Sequence, residues 1–252
     1  MNIKIWGSRG SHPTPLSSKA IELKIKRVLE LAASEDISSP KAVDDFVKKL
    51  PFSMKHTYGG NTTCIELTVG GRHIIIDCGS GLVNLGKHLM NGPFGEGKGT
   101  ADIFITHTHW DHIQGIPFFV PIYIAGNSFN FYSPVPNLHK RLVHQQAATH
   151  FPILFDGTAS TKQFFKIAMN KVFLLDEVRV IPKKMPHPGK SYAYRIEYGG
   201  KTFVYTGDCE FNIGELDKIN SYRSIFDKAD VLLFDAQYTF ADSINKFEWG
   251  HS

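Results

Sequence analysis

Four side chains able to bind a metal fall within six residues of this chain. They are His107, His109, Asp111 and His112, in the run Thr106-His107-Thr108-His109-Trp110-Asp111-His112-Ile113-Gln114-Gly115. Imidazole and carboxylate suit zinc, manganese or iron better than calcium, which prefers an all-oxygen shell. A cluster this dense is hard to reconcile with a loop of unrelated surface histidines. Two further candidates lie downstream, His187 in Met185-Pro186-His187-Pro188-Gly189 and Asp208 in Tyr205-Thr206-Gly207-Asp208-Cys209.

The elements that must hold these residues are legible on either side. Residues 101–106 read as a short buried strand. If the extended geometry continues past it, His107 and His109 project to one side, because strand side chains alternate. Residues 2–6 read as a first strand, and Gly7–Pro15 as a loop of turn formers. Cys64–Val69 and His73–Ile76 read as strands joined by a Gly70-Gly71 hairpin turn. Asp77–Gly81 ends the second strand and opens a helix to about Met90. Asn91–Thr100 is glycine-rich but matches no phosphate-loop fingerprint, so it is a surface connection. Leu138–His150 reads as a helix in an aromatic-rich stretch whose rings are mostly core. Tyr194–Gly200 echoes Ile65–Gly71, and each Gly-Gly turn leads into an apolar strand ending near an aspartate, Asp77 or Asp208. Val231–Phe234 reads as a last strand.

Between the first strand and the hairpin, residues of about 16–56 read as a helical insertion. Ile21, Leu23, Ile25, Val28, Leu29 and Ala32 make one apolar face, expected to pack on the sheets, with a lid as the other reading. Ser39 with Pro40 reads as a helix start, and Pro51 as a stop.

The 252 residues are expected to form a single α/β domain. With 28 Lys and Arg against 24 Asp and Glu, the net charge of +4 helps hold an anionic substrate. It is too small and scattered to suggest a stable nucleic-acid partner. Cys64, Cys78 and Cys209 are an odd, widely spaced set, which favours reduced thiols and a cytoplasmic protein. No apolar run reaches the length of a membrane span. A homodimer stays open.

The His-x-His-x-Asp-His run resembles the signature of the metallo-β-lactamase fold superfamily. The resemblance implies a four-layer αββα sandwich with the helical insertion near the N-terminus. It also implies two divalent metal ions, zinc first, with manganese and iron compatible. By the same resemblance His107, His109 and His187 bind one ion, Asp111 and His112 bind the other, and Asp208 bridges them. Asp77 then supports the histidine loop from behind. Zinc β-lactamases use a cysteine ligand where this chain has Asp208, with Cys209 pointing elsewhere.

Three more stretches narrow the resemblance: Gly7–Pro15, Tyr58–Cys64 and Phe234–Thr239. Together they resemble the bacterial phosphodiesterase branch, similar to ribonuclease Z and to the cyclic-phosphate and cyclic-nucleotide phosphodiesterases. The implied activity is hydrolysis of a small cyclic phosphodiester or nucleotide. The alternatives are a glyoxalase-like thioesterase and a catalytically weak nucleotide sensor. Arg9 is a candidate phosphate contact, with a structural hydrogen bond to a loop carbonyl as its other reading. Asn61 reads as a structural amide. Asp111 is expected to orient the attacking water, and His251 to donate a proton or touch phosphate. The family's last histidine ligand follows one helix and one strand later, so the chain is expected to stop short of it.

Overall fold

The computed structural model describes residues 1–57, 59–211, 216–238 and 250–251. Of the residues named above, Tyr58 and Thr239 lie outside this set. The amphipathic strands pair as their apolar alternation requires, into two sheets that share one dry interior. The first sheet has the order β1 (Asn2–Gly7), β2 (Cys64–Val69), β3 (Arg72–Ile76), β4 (Thr100–Phe104), β5 (Ser128–Ser133) and β6 (Thr161–Lys166). The second runs β11 (Val231–Leu233), β10 (Lys201–Tyr205), β9 (Tyr192–Tyr198), β8 (Val178–Lys184) and β7 (Phe173–Leu175). Between them Leu67, Ile74, Ile76 and Phe104 of one sheet meet Val180, Tyr194, Ile196 and Phe203 of the other, all buried.

Helices cover the outer faces. α4 (Gly81–Leu89) and α6 (Leu138–Gln145) bury Leu82, Leu85, Leu138 and Leu142 against Ile75, Ile103 and Phe129. On the other side α7 (Leu216–Phe226) buries Ile225 with Ala193 and Val204. The result is the expected αββα sandwich. Both Gly-Gly hairpin turns exist, with φ of 57° and 74° at Gly70 and Gly71, and of 57° and 73° at Gly199 and Gly200. Left-handed φ at both central residues is what a tight hairpin turn of this kind demands. No helix among the described residues is long and apolar enough to cross a membrane.

The insertion forms α1 (Ser18–Ala32), α2 (Pro40–Lys49) and α3 (Phe52–Lys55). Ser17 and Ser39 cap the first two, each accepting a backbone N–H at 3.2 Å, and Pro40 occupies the first turn of α2. The expected packing on the sheets is not what is found. Val28, Leu31 and Ala32 close on Phe46, Leu50 and Met54, a cluster containing no sheet residue. Ile21, Leu23, Ile25 and Leu29 are instead exposed, Leu29 by 63%. Periodicity identified an apolar surface wider than the insertion's own helices can cover. α6 is also shorter than expected, ending at Gln145 with a tight turn at Ala147.

Candidate metal centre

The candidate residues come from loops that follow strand ends: Asp77 after β3, His107–His112 after β4, His187 after β8, Asp208 after β10 and Asp235 after β11. The loop after β4 keeps strand-like alternation for a few residues and then enters a single helical turn, α5 (Trp110–Ile113). His107 thus lies buried, while Trp110 is turned out. Close backbone approach fixes the turn. A Cβ on Gly115 would stand 2.1 Å from the Gly79 carbonyl oxygen, so only glycine fits there.

Asp77 organises this loop from beneath. Its φ of 58° is left-handed and its side chain fully buried. The carboxylate accepts hydrogen bonds from the Thr106 amide (2.8 Å) and hydroxyl (2.7 Å), and pairs with His112 Nδ1 at 2.7 Å. The Thr106 hydroxyl also lies 3.1 Å from His107 Nδ1. Two histidines are therefore held by their Nδ1 atoms with Nε2 aimed inward, the pattern in which an outer partner fixes the ring that binds a metal. His187 is held likewise, its Nδ1 2.8 Å from the Gly250 carbonyl oxygen.

Donor atoms converge in three groups, each spanning less than 4.8 Å: His107, His109, His187 and Asp208; Asp111, His112 and Asp208; Asp208, Asp235 and His251. Asp208 belongs to all three. Its Oδ2 lies 3.5 Å from His107 Nε2 and 3.9 Å from His187 Nε2, and its Oδ1 3.1 Å from His112 Nε2. Yet His107 Nε2 and His112 Nε2 are buried without a hydrogen-bond partner among the described residues. Orphaned lone pairs at this depth cost free energy unless something fills the space between them. A divalent cation fits, since the donor set is imidazole and carboxylate throughout.

The local electrostatics differ from one histidine to the next. Burial pushes the His107 pKa well below its usual range, and the neighbouring histidines push it further. Burial acts the same way on His112, but the Asp208 and Asp77 carboxylates overrule it and hold that ring well above. Burial would raise the Asp111 carboxyl, but His112 and the Ser11 amide hold it at about 2. That amide donates to Asp111 Oδ2 at 2.8 Å and ties the Gly7–Pro15 loop to the centre.

His251 Nδ1 pairs with Asp235 Oδ2 at 2.8 Å, and its Nε2 stands 3.8 Å from Asp208 Oδ2. The sequence offered no sign of the Asp235 partnership, a contact between residues on separate loops. Arg9 does not reach the cluster. Its side chain is exposed and hydrogen-bonds no described residue, while its amide donates to the Asn61 carbonyl at 2.9 Å. Asn61 is structural, its side-chain oxygen accepting from Ser80. Cys209 packs away from the centre with Met185, Ala193 and Val204. Burial pushes its thiol up to about 12, the opposite of a thiolate ligand.

A family model described as "Beta-lactamase superfamily domain" matches residues 72–252. A search of curated proteins found no match. Among solved structures, the short form of human tRNase Z is similar at 18% identity and a TM-score of 0.61, covering 100% of this chain and 84% of that one. Zinc-bound PqqB from Methylobacterium extorquens is similar at 16% identity and a TM-score of 0.54, covering 94% and 71%. A diphosphatase of the PhnP family is similar at 16% identity and a TM-score of 0.52, covering 93% and 73%.

Proposed function

Since the chain belongs to the beta-lactamase superfamily, in its metallo-β-lactamase fold, we propose that it is a dinuclear metal-dependent phosphodiesterase acting on a small phosphodiester or nucleotide. One observation carries the reading: the carboxylate of Asp208 is shared by both inward-facing histidine groups. A bridging carboxylate suits two cations about 3.5–4 Å apart. His107, His109 and His187 would hold one ion and Asp111 and His112 the other, with Asp208 between them. The names of tRNase Z and of the PhnP-family diphosphatase point the same way.

Bound divalent ions would supply Lewis acidity toward a phosphoryl oxygen and lower the pKa of a water held between them. The protein's own groups do the rest. Asp111, pinned by the Ser11 amide, orients the attacking water toward phosphorus. As the bond from phosphorus to the departing oxygen breaks, His251 passes the proton on Nε2 to that oxygen. Asp235, paired with Nδ1, fixes the ring for this transfer. Arg9 lies on the loop that Asn61 holds beside the centre, and an exposed guanidinium there can meet a phosphate without losing an internal partner.

The test is hydrolysis by protein reconstituted with zinc or manganese. Cleavage of bis-p-nitrophenyl phosphate, with none of a glutathione thioester, supports the reading. The reverse pattern makes the protein a thioesterase. Nucleotide binding with no turnover of either substrate makes it a sensor.

A further inference from the structure

The loop that carries the metal candidates has a second face. The helical turn α5 that buries Asp111 and His112 turns Trp110, at its start, out to solvent. Trp110 is 81% exposed, although it lies between two candidate ligands. It belongs to no hydrophobic cluster of the described residues. A large indole left in water beside a reactive centre is not explained by packing.

A cavity of about 410 Å³ lies against it, lined by Thr108, Trp110, Lys140, Arg141 and His144 among others. The guanidinium of Arg141 is not adrift. Its Nη1 donates to Thr108 Oγ1 at 2.8 Å, which fixes it to the metal loop. Its charge also reaches Tyr192, at the start of β9 beyond the His187 loop. Gln145 holds α6 to the same loop, donating to the Ile113 carbonyl at 2.9 Å. Arg141 thus stands on a braced helix at the rim of the centre. No Asp or Glu occurs from His112 to Phe155, so nothing on this stretch offsets the cations.

We propose that Trp110 and Arg141, with Lys140 and His144 beside them, form a subsite for a base and a phosphate lying beyond the scissile linkage. The ring stacks on the indole, which accepts any base by its π-face. The phosphate pairs with the planar fork of Arg141. The substrate is then a short nucleotide chain, such as a 5′-phosphorylated dinucleotide, rather than a cyclic mononucleotide. This rests on the phosphodiesterase reading and narrows it.

The test is calorimetric binding of a hydrolysis-resistant phosphorothioate dinucleotide carrying a 5′-phosphate, with inorganic phosphate as the reference probe. Metal-reconstituted wild type is compared with Trp110→Ala, Trp110→Phe and Arg141→Gln. Trp110→Ala and Arg141→Gln are each expected to raise the dinucleotide Kd by about tenfold or more. Trp110→Phe should stay within about threefold, because a smaller ring still stacks. Metal content should not change in any variant, and the Kd for phosphate should not change in the Trp110 variants. An unchanged dinucleotide Kd in both truncations overturns the subsite, as does failure of the wild type to bind the dinucleotide. Loss of metal in Arg141→Gln also overturns it, by showing that Arg141 acts only through Thr108 on the metal loop. Tight binding that depends on both residues, without hydrolysis of any phosphodiester, upholds the subsite and sinks the phosphodiesterase reading.

Discussion

Replacing Asp77 by Asn isolates one interaction. Asn adopts left-handed φ as readily as Asp, so the backbone at 58° is not newly strained. The amide oxygen can still accept from the Thr106 N–H, now 2.8 Å from Asp77 Oδ1. The new NH₂ group then faces Thr106 Oγ1 and His112 Nδ1, each 2.7 Å from Asp77 Oδ2. The threonine hydroxyl can rotate and accept. His112 can accept only by moving its proton to Nε2, the atom aimed at the centre. The variant must break the contact or adopt the tautomer that cannot bind metal. A lost charge-assisted hydrogen bond costs roughly 1.5–3 kcal/mol. Loss of an outer partner typically lowers metal affinity by about 10–100-fold. A cost of about 2 kcal/mol corresponds to a fall in Tm of roughly 4–8 °C for a chain of this size. Competition against a chromophoric chelator reads the affinity, and thermal melts read the stability. Wild-type affinity together with an unchanged Tm would refute the argument that Asp77 fixes the His112 tautomer.

The other predictions concern single contacts. Asp208→Ala and His109→Ala should each remove metal and activity while the fold stays largely intact, by metal analysis and circular dichroism. Cys209→Ser should retain both metals, since that side chain packs with Met185 and Val204 rather than facing the cluster. Gly115→Ala must displace the Gly79 carbonyl and should destabilise by about 1–3 kcal/mol in denaturant unfolding. Arg9→Ala should raise KM for a phosphodiester more than it lowers kcat, as expected for uniform phosphate binding. Wild-type kinetics on several phosphodiesters would remove Arg9 from the site.

The fold was legible where the local code is strong. Alternating apolar residues around Gly70-Gly71 and Gly199-Gly200 marked two hairpins, and the strands of both supply side chains to the core between the sheets. The density of His107 to His112 marked the centre because its members are close in sequence. What escaped was long-range. The Ser11 amide meets Asp111, and Asp235 pairs with His251, through loops whose paths no periodicity encodes. The insertion shows the complementary limit. Helical periodicity along α1 tells which face is apolar, but not that only Val28, Leu31 and Ala32 find a partner while Leu29 does not. Trp110 carried no signal of its own, because the exposure of a ring inside a metal motif is set by the path of the loop.

The proposed chemistry depends on two cations sharing the carboxylate of Asp208. Anomalous scattering from crystals of the zinc- or manganese-reconstituted protein tests it directly. The account predicts two peaks, one on His107, His109 and His187, the other on Asp111 and His112, with Asp208 touching both. A single peak, or two peaks that Asp208 does not join, would contradict it.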